Sequence, residues 1–469
     1  MTNPASSAAP APTLEDALAA LDALPAPQGL PSWTPASEVP LDQVSSESLR
    51  SCGLEYRTVD ARDEVAFEHY LQAVNRGFLE ERAEHLVGSR STLLQLDGRL
   101  VGVYDPDAPR SEAPVATIAT WGTGLVLDPG CIAPMWAISE VTVSSTHRRR
   151  GIARAMIEGE LRSAAGTGYP IAGLTVSEAT IYGRYGFGPS VGARRFTIEN
   201  RRAGWVGPRP VEEGRGRIDP IEREDAMRAL AALHAESVAE RPGEITGWPG
   251  LWRDAAGLHP GSEEKSHRAV RYTDADGRVR GVVVFSIKDP EGTAVLRIHH
   301  LLAATADAYA ALWHFSLTHD LISSVTATLR SADEPVRWMI EDQRALTSTE
   351  HDHHWVRILD VAAVLAARRY RAAGSVLFEV TDPLDLTGGR YLLTVDEAGT
   401  GSVQQLTADA PADATTVRLG VSELSALLHG GARWGTLAAA GRISADGDST
   451  AWLDVAFAPA APLQLSVGY

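Results

Sequence analysis

Residues 139–156 read S-E-V-T-V-S-S-T-H-R-R-R-G-I-A-R-A-M. Apolar and polar residues alternate up to Val143, which predicts a strand, and a hydroxyl-rich turn with three arginines follows it. Gly151 then opens a helical pattern that reaches Ala165. Because the apolar run I-A-G-L-T-V at 171–176 predicts a buried strand, the stretch predicts a β-α-β unit within a mixed α/β domain.

The junction between this strand and this helix predicts an anion site. Residues 148–153 have the spacing R-x-x-G-x-A, and the first N–H groups of a helix have no intrahelical partners. Gly151 admits a phosphate to the backbone, Ala153 keeps the next turn free of bulk, and arginines add charge-assisted contacts. Here the spacing fits neither G-x-x-x-x-G-K-[ST] nor G-x-G-x-x-G. The pattern therefore favours a phosphate site over a merely solvated basic helix start.

The composition predicts a soluble, multidomain globular protein. The 469 residues are 44% hydrophobic, enough for roughly two to four domains with their own cores. A net charge of -17 argues against nonspecific nucleic-acid binding and suits a cationic partner. The sequence has neither a long apolar span nor a signal pattern, so we expect no membrane association. Cys52 and Cys131 lie outside any C-x-x-C motif, which fits a reducing cytoplasm.

Changes in composition divide the chain into four segments. Residues 1–53 are rich in Pro, Ala and Ser, and we expect a mostly disordered arm without a catalytic role. Residues 54–206 and 207–352 are predicted to be related α/β domains, and 353–469 a third, α+β domain. The apolar tail that ends at Tyr469 is expected to dock on the rest of the protein.

A repeated fragment supports the duplication. D-G-R-L-V-G-V at 97–103 is echoed by D-G-R-V-R-G-V at 276–282, and strands and a helix follow each copy. The second copy is degenerate, because its strand-to-helix junction has neither the arginine run nor the glycine. In the first copy, the two apolar runs around Asp97-Gly98 predict a β-hairpin.

Two motifs together resemble a known family. R-x-x-G-x-A after a strand is similar to the pyrophosphate loop of the GCN5-related N-acetyltransferases (GNAT). T-H-R-R-R-G (146–151) and S-E-A-T-I-Y-G-R-Y-G-F-G-P (177–189), with a degenerate second domain and a terminal aromatic residue, resemble the Eis (enhanced intracellular survival) family. The resemblance covers roughly residues 54–469. It implies two tandem GNAT-like domains and a sterol-carrier-protein-like domain, acetyl-CoA as co-substrate, frequent aminoglycoside acceptors and a homohexamer.

The resemblance also implies roles for single residues. Tyr182, the first tyrosine of I-Y-G-R-Y-G-F-G, matches the general acid, and a tyrosine hydroxyl beside sulfur can protonate a leaving thiolate. The carboxylate of the last residue, here Tyr469, matches the base; its ordinary pKa of about 3.3 to 3.7 requires burial or a water relay. The expected CoA contacts are Val141, Val143, Arg148, Arg149, Gly151, Ile152, Ala153 and Ser177.

The acceptor site is less defined by the sequence. Glu140 lies where many simpler acetyltransferases place a catalytic glutamate, and strict alternation puts it opposite Val141, on the face of Ile138 and Thr142. Whether it is a base, an anchor for a cationic acceptor or a structural carboxylate stays open. Phe78, Glu80 and Trp136 are further candidates for the acceptor pocket, with ordinary loop and core roles as the alternative.

No metal site is expected. E-H-D-H-H at 350–354 contains metal-type residues, but it lacks a helical i, i+4 pair, and we expect a solvated loop between domains. His299 and His300 alternate on a predicted strand and cannot both face one ion.

The sequence therefore predicts an acetyl-CoA-dependent N-acetyltransferase that acts directly on a small cationic, aminoglycoside-like amine. One alternative keeps the chemistry and changes the acceptor to a protein lysine or a polyamine. The alternative of another class is a non-catalytic regulator that binds acyl-CoA or a lipid.

Overall fold

The computed structural model describes residues 12–261, 263–289, 293–407, 415–447 and 449–469. Within these residues, a twelve-stranded sheet has the order β1-β2-β3-β4-β5-β12-β6-β11-β10-β9-β8-β7. Its strands are β1 (Glu55–Val59), β2 (Arg99–Tyr104), β3 (Ala116–Asp128), β4 (Cys131–Val143), β5 (Ile171–Thr175), β6 (Gly188–Glu199), β7 (Gly216–Ile221), β8 (Arg268–Asp274), β9 (Val279–Lys288), β10 (Val295–Ala303), β11 (Ser324–Arg330) and β12 (Leu346–Ile358).

Two halves of this sheet repeat one topology. β1 to β4 are antiparallel and β4 pairs in parallel with β5; β7 to β10 and β11 repeat this order. The last strand of each half is exchanged, because β12 pairs with β5 and β6 pairs with β11. The predicted duplication is therefore present. The echoed fragments, however, lie at β2 and β9, which are not equivalent strands.

Helices cover the sheet and build the third domain. They are α1 (Leu14–Asp22), α2 (Gln43–Ser51), α3 (Glu64–Phe78), α4 (Val87–Gln95), α5 (Ile152–Gly166), α6 (Ala179–Tyr182), α7 (Asn200–Ala203), α8 (Arg223–Ser237), α9 (Pro249–Ala255), α10 (Ala306–Leu317), α11 (Val361–Ala367), α12 (Val421–Leu427), α13 (Trp434–Ala439) and α14 (Ser449–Ala456). α3 begins where the Asp63 carboxylate accepts from the N–H groups of Val65 and Ala66, an N-cap that satisfies two free donors.

The prediction of a mostly disordered arm is wrong for residues 12–53. α1 and α2 are both formed, and α2 packs on α5. The Ser45 hydroxyl donates to the carbonyl of Ala155 at 2.6 Å, and Asp42 pairs with Arg162 at 2.8 Å. The arm also places five apolar side chains in the cores: Leu21, Leu24, Ala36, Val39 and Leu49. These scattered contacts order a segment whose composition is typical of disorder; the residues before 12 lie outside the description.

The predicted hairpin around Asp97-Gly98 is also wrong. The preceding apolar residues belong to α4, and Gly98 N–H donates back to the carbonyl of Leu93 at 3.4 Å. Asp97 has φ 46°, a left-handed residue of the kind that ends helices. The dipeptide thus ends a helix and leads into β2.

The E-H-D-H-H stretch lies inside β12, and the expected solvated loop is wrong. The strand is inserted between β5 and β6, and His353 and His354 are 8% and 0% exposed. Since Ile358 still pairs with Ile171 of the first half, the strand extends past the predicted domain boundary at 353. The strand crosses the predicted boundary because the last strands of the two halves are exchanged. A local sequence pattern does not reveal such an exchange.

The third domain has its own sheet and core. The predicted strands are present in a five-stranded sheet of the described residues, ordered β15-β14-β13-β16-β17. Its strands are β13 (Gly374–Thr381), β14 (Gly389–Val395), β15 (Gly401–Gln405), β16 (Thr416–Gly420) and β17 (Ser444–Ala445). In its core Phe378 stacks on Trp434, and Phe457 contacts Trp434 edge-on. A fully buried ion pair, Arg357–Asp382, joins it to β12.

Candidate active site

β4 and β5 separate near the middle of the sheet. They pair in parallel only from Met135 to Ala137, although β4 continues to Val143. Ser144 N–H donates to Val115 on the β3 side at 2.8 Å, so the neighbouring Val143 N–H points to the other edge, into the gap. The gap therefore offers main-chain donors and acceptors of β4 to a bound molecule.

The predicted anion junction lies at the end of this gap. Gly151 is the N-cap of α5 with φ 77°, and Arg149 has φ 62°. Both left-handed residues turn the chain sharply, so that the first N–H groups of α5 face the open cleft. Arg150 instead lies 3.7 Å from Asp105, whose carboxylate also accepts from His147 Nε2 at 2.9 Å. The loop is thus fixed from its outer side.

A cleft of about 550 Å³ runs along the junction. Every expected CoA contact lines it: Val141, Val143, Arg148, Arg149, Gly151, Ile152, Ala153 and Ser177. Tyr182, on the short α6, lies in the same wall, and its ring contacts Phe187 edge-on at 5.9 Å. Burial raises the pKa of the Tyr182 phenol, with Tyr185 and Glu178 adding to the effect. The hydroxyl is therefore protonated at neutral pH.

A second compartment of about 240 Å³ occupies the gap between β4 and β5. It shares Phe78, Val141, Ser177 and Tyr182 with the cleft. Glu140, Thr175 and Tyr469 line this compartment but not the cleft. The two spaces therefore meet beside Tyr182.

Glu140 lies on a β-bulge. The register of β3 and β4 shifts so that Glu140 and Val141 together face Ile118, and Glu140 has φ 54°. Ser139 and Thr142 consequently lie on one face, and the strict alternation that grouped Ile138 with Thr142 is wrong. The Tyr70 hydroxyl donates to the Glu140 carboxylate at 2.9 Å. Desolvation raises the pKa of Glu140 to about 7, against the lowering effect of this hydrogen bond.

The tail docks as predicted, and Tyr469 reaches the compartment. The Thr175 hydroxyl accepts from Tyr469 N–H at 3.0 Å and donates to the main-chain oxygen of Tyr469. The phenol is hydrogen-bonded to His354 Nε2 at 2.8 Å. The ring contacts Trp121 at 5.5 Å and Trp248 at 6.4 Å.

Two expected acceptor residues lie elsewhere. Trp136 is 0% exposed in the core, against Tyr169, and Glu80 is exposed beyond the end of α3; neither lines the cleft or the compartment. Phe78 lines both. Sequence reasoning missed three polar residues around the site: Tyr70, Thr175 and His354. Only His354 could have been recognised from the sequence, because polar and apolar residues alternate in H-W-V-R-I (354–358) as they do in a strand.

Two features are absent from the described residues. None of the helices there is long and apolar enough to cross a membrane. No group of three or more His, Cys, Asp or Glu side chains in that part of the chain could hold a metal ion.

Family models match all three domains. An acetyltransferase (GNAT) domain model matches residues 56–190 and another matches 244–358. A sterol carrier protein domain model matches residues 361–464. The two GNAT domains and the sterol carrier domain are therefore present, and acetyl-CoA is the co-substrate that GNAT domains imply.

Similar proteins share most of the chain. An uncharacterized N-acetyltransferase of Streptomyces avermitilis is 36% identical over 391 residues, 80% of this chain and 89% of that protein. N-acetyltransferase Eis of Mycobacterium tuberculosis is 31% identical over 80% of this chain and 90% of its own length. The crystal structure of Eis1 from Mycobacterium abscessus, 25% identical, has a TM-score of 0.73 and covers 88% of this chain and all of that one. The chain is an N-acetyltransferase and belongs to the Eis family of the GCN5-related N-acetyltransferases.

Proposed function

We propose that the protein transfers the acetyl group of acetyl-CoA to an amine of a small cationic substrate of the aminoglycoside type. The observation that carries the proposal is the compartment between β4 and β5, which opens into the cleft beside Tyr182 and contains Glu140. A partly buried carboxylate with a pKa of about 7 attracts an ammonium group while it is ionised. The net charge of -17 favours the approach of a cation.

The residues of the cleft fit acetyl-CoA, which supplies the acetyl group as a thioester. The start of α5 and the exposed side chains of Arg148 and Arg149 suit the pyrophosphate. The main-chain groups of Val141 and Val143, on the open edge of β4, suit the amides of the pantetheine arm.

The chemistry of the chain's own groups follows from their positions. A carboxylate takes a proton from the ammonium so that the free amine attacks the thioester carbon, and the C–N bond forms as the C–S bond breaks. Val143 N–H donates to the thioester oxygen as negative charge develops there. The Tyr182 O–H donates to the departing sulfur as negative charge develops there. The second proton of the attacking amine is released as the amide forms and replaces the proton that Tyr182 passes to the sulfur, so that CoA leaves as the thiol.

Two carboxylates can take the proton, Glu140 and the end group of Tyr469. We expect extension of the chain by two residues beyond Tyr469 to lower kcat strongly if the end group is the base. If activity survives the extension and Glu140→Gln abolishes it, Glu140 is the base instead. Measuring acetyl transfer through the release of the CoA thiol distinguishes these outcomes.

The acceptor class is tested with a panel of amines. We expect the highest kcat/KM for aminoglycosides, compared with linear polyamines and lysine-containing peptides, when CoA release is measured. A preference for peptides or polyamines would assign the acceptor to that class. Tight CoA binding without turnover of any amine would contradict the proposal.

We also propose, from the family resemblance alone, that the protein assembles as a homohexamer. Size-exclusion chromatography with light scattering is the measurement, and a monomeric mass would contradict the assembly.

A further inference from the structure

The last seven residues run through a groove made by both GNAT domains. Leu463 O accepts from the Ser331 hydroxyl at 2.8 Å, and the Gln464 amide donates to Leu329 O at 2.9 Å. Further along, Leu465 and Val467 are 1% and 5% exposed. This tail segment (463–469) is therefore fixed along its length and not only at its end.

The second GNAT domain contributes a buried carboxylate to the groove. Glu244 is 0% exposed, and both of its carboxylate oxygens accept from Ser466 N–H, at 3.1 and 3.3 Å. Burial raises the pKa of Glu244, while Arg241 and Ser466 act in the opposite direction. The domain that lacks the anion junction thus helps to hold the tail segment against the domain that has it.

Two buried histidines of β12 hold the end of the segment. His353 Nε2 is hydrogen-bonded to Val467 O at 2.7 Å, and His354 Nε2 to the Tyr469 phenol at 2.8 Å. Burial holds the pKa of His354 well below its usual value, and His353 and His429 add to this effect. A neutral imidazole shares a hydrogen bond with a phenol without burying a charge.

We infer that His354 is a positioning residue, which fixes Tyr469 as one wall of the acceptor compartment through the phenolic hydroxyl. The inference rests on the proposed function, because it takes the compartment as the place where the amine reacts. Tyr469 lines the compartment, and His354 contacts its side chain through the hydrogen bond to the phenolic hydroxyl and through an edge-on ring contact at 5.8 Å. Without this hydrogen bond the side chain is held by ring contacts alone, and we expect the main-chain end to move relative to Thr175.

The test is a double-mutant cycle of His354→Phe and Tyr469→Phe. Each single variant should lower kcat on the order of tenfold, because small misplacements at a reacting centre are costly. The double variant should be no slower than the slower single variant, since both changes remove one hydrogen bond. The KM for acetyl-CoA should stay unchanged, because the junction at Gly151 is untouched. Multiplying effects, or an unchanged kcat, would overturn the inference.

His354→Gln and His299→Phe complete the design. In His354→Gln the glutamine amide can form a hydrogen bond with the phenol and should restore most of kcat. If His354→Phe does not fold, His354→Gln takes its place in the cycle. His299→Phe is the matched control, since His299 Nε2 bonds a hydroxyl, that of Ser286, at the same 2.8 Å but in the second domain. Its kcat should equal that of the unaltered protein.

A readout without catalysis separates this inference from the proposed function. Carboxypeptidase should release the last residue faster from His354→Phe and from Tyr469→Phe than from the unaltered protein or His299→Phe. The residue released is phenylalanine in Tyr469→Phe and tyrosine in the other three. Faster release with no acetyl transfer by the unaltered protein would leave the positioning intact and refute the function. Equal release rates in all four would overturn the positioning.

Discussion

Tyr182 lines both the cleft and the compartment. Tyr182→Phe keeps the ring and its contact with Phe187 but removes the proton donor. We expect kcat to fall about 100-fold, the usual contribution of a general acid, with little change in the KM for acetyl-CoA. Steady-state kinetics with a thiol reagent measures both. Tyr104→Phe is the control, since this buried tyrosine of β2 lines neither the cleft nor the compartment. An unchanged kcat for Tyr182→Phe would show that Tyr182 is not the general acid.

Glu140 couples activity to pH. Its pKa of about 7 means that the carboxyl is protonated below this value and can neither attract an ammonium nor accept its proton. We expect kcat/KM to fall as the pH drops through about 7, and Glu140→Gln to lower the rate and remove this acidic limb. A pH–rate profile measures it. If kcat/KM of Glu140→Gln still falls as the pH drops through about 7, another group is responsible for the fall.

Glu140 also affects stability, in the opposite sense. A carboxyl whose pKa is raised by folding favours the folded state below its ordinary value, and this contribution is lost as the pH rises through about 7. Glu140→Gln should therefore raise the melting temperature at pH 8 more than at pH 5. The exposed Glu84→Gln should show no such difference, and thermal unfolding at both pH values decides.

The residues expected to contact CoA all line one cleft, whereas two of the residues expected for the acceptor pocket line neither the cleft nor the compartment. The residues from Val141 to Ala153 are contiguous, so a motif carries both their identity and their arrangement. Trp136 and Glu80 were misplaced because sheet pairing, not sequence distance, decides which side chains reach the compartment. Glu244 comes from another domain and contacts Ser466, 222 positions away. No local pattern predicts that contact.

At the scale of elements, α5 depends on the left-handed Gly151 at its start. Gly151→Ala meets nothing within 4 Å but must adopt φ 77°, which costs about 1–2 kcal/mol for a residue with a Cβ. We expect the chain to relax away from the turn, which raises the KM for acetyl-CoA several-fold and leaves kcat nearly unchanged. Isothermal titration with CoA measures the loss directly.

Gly166→Ala is the matched control, at the other end of the same helix. A Cβ there also meets nothing within 4 Å, and Gly166 does not have a left-handed φ. Alanine favours the helix by about 1 kcal/mol over glycine, so stability should rise and CoA affinity should stay the same. Equal CoA affinities of both variants would mean that the turn does not shape the anion site.

Elements with a strong period were predicted well, and those set by distant partners were not. α5 and β5 follow their apolar patterns closely. β12 carries five consecutive polar residues in E-H-D-H-H, and it is a strand because β5 and β6 offer open edges on both sides. The tertiary structure supplies what the local pattern lacks.

At the scale of the whole molecule, the exchange of β6 and β12 joins both GNAT domains into one sheet. The third domain is anchored to this sheet by two ion pairs, Arg357–Asp382 and Arg371–Asp128, and by the tail segment. Arg371 and Asp128 are 243 positions apart, and the tail segment contacts His353 from 114 positions away. We therefore expect a single cooperative unfolding transition in calorimetry, not one for each domain.

Arg357→Met should break this cooperativity. Both members of the pair are 0% exposed, and Arg357 contacts Asp382 at 2.6 Å; removing one charge of a buried pair costs about 3–5 kcal/mol. The third domain should then unfold in a separate transition at lower temperature. Arg357→Met/Asp382→Asn should recover part of the loss, because the buried charge is gone while the amide oxygen, in the place of Oδ2, still accepts from Leu386 and Thr387 N–H. Arg209→Met, in an exposed pair with Glu212, should cost about 0.5 kcal/mol or less. A single transition in Arg357→Met with an unchanged midpoint would mean that the tail segment and Arg371 alone hold the domains together.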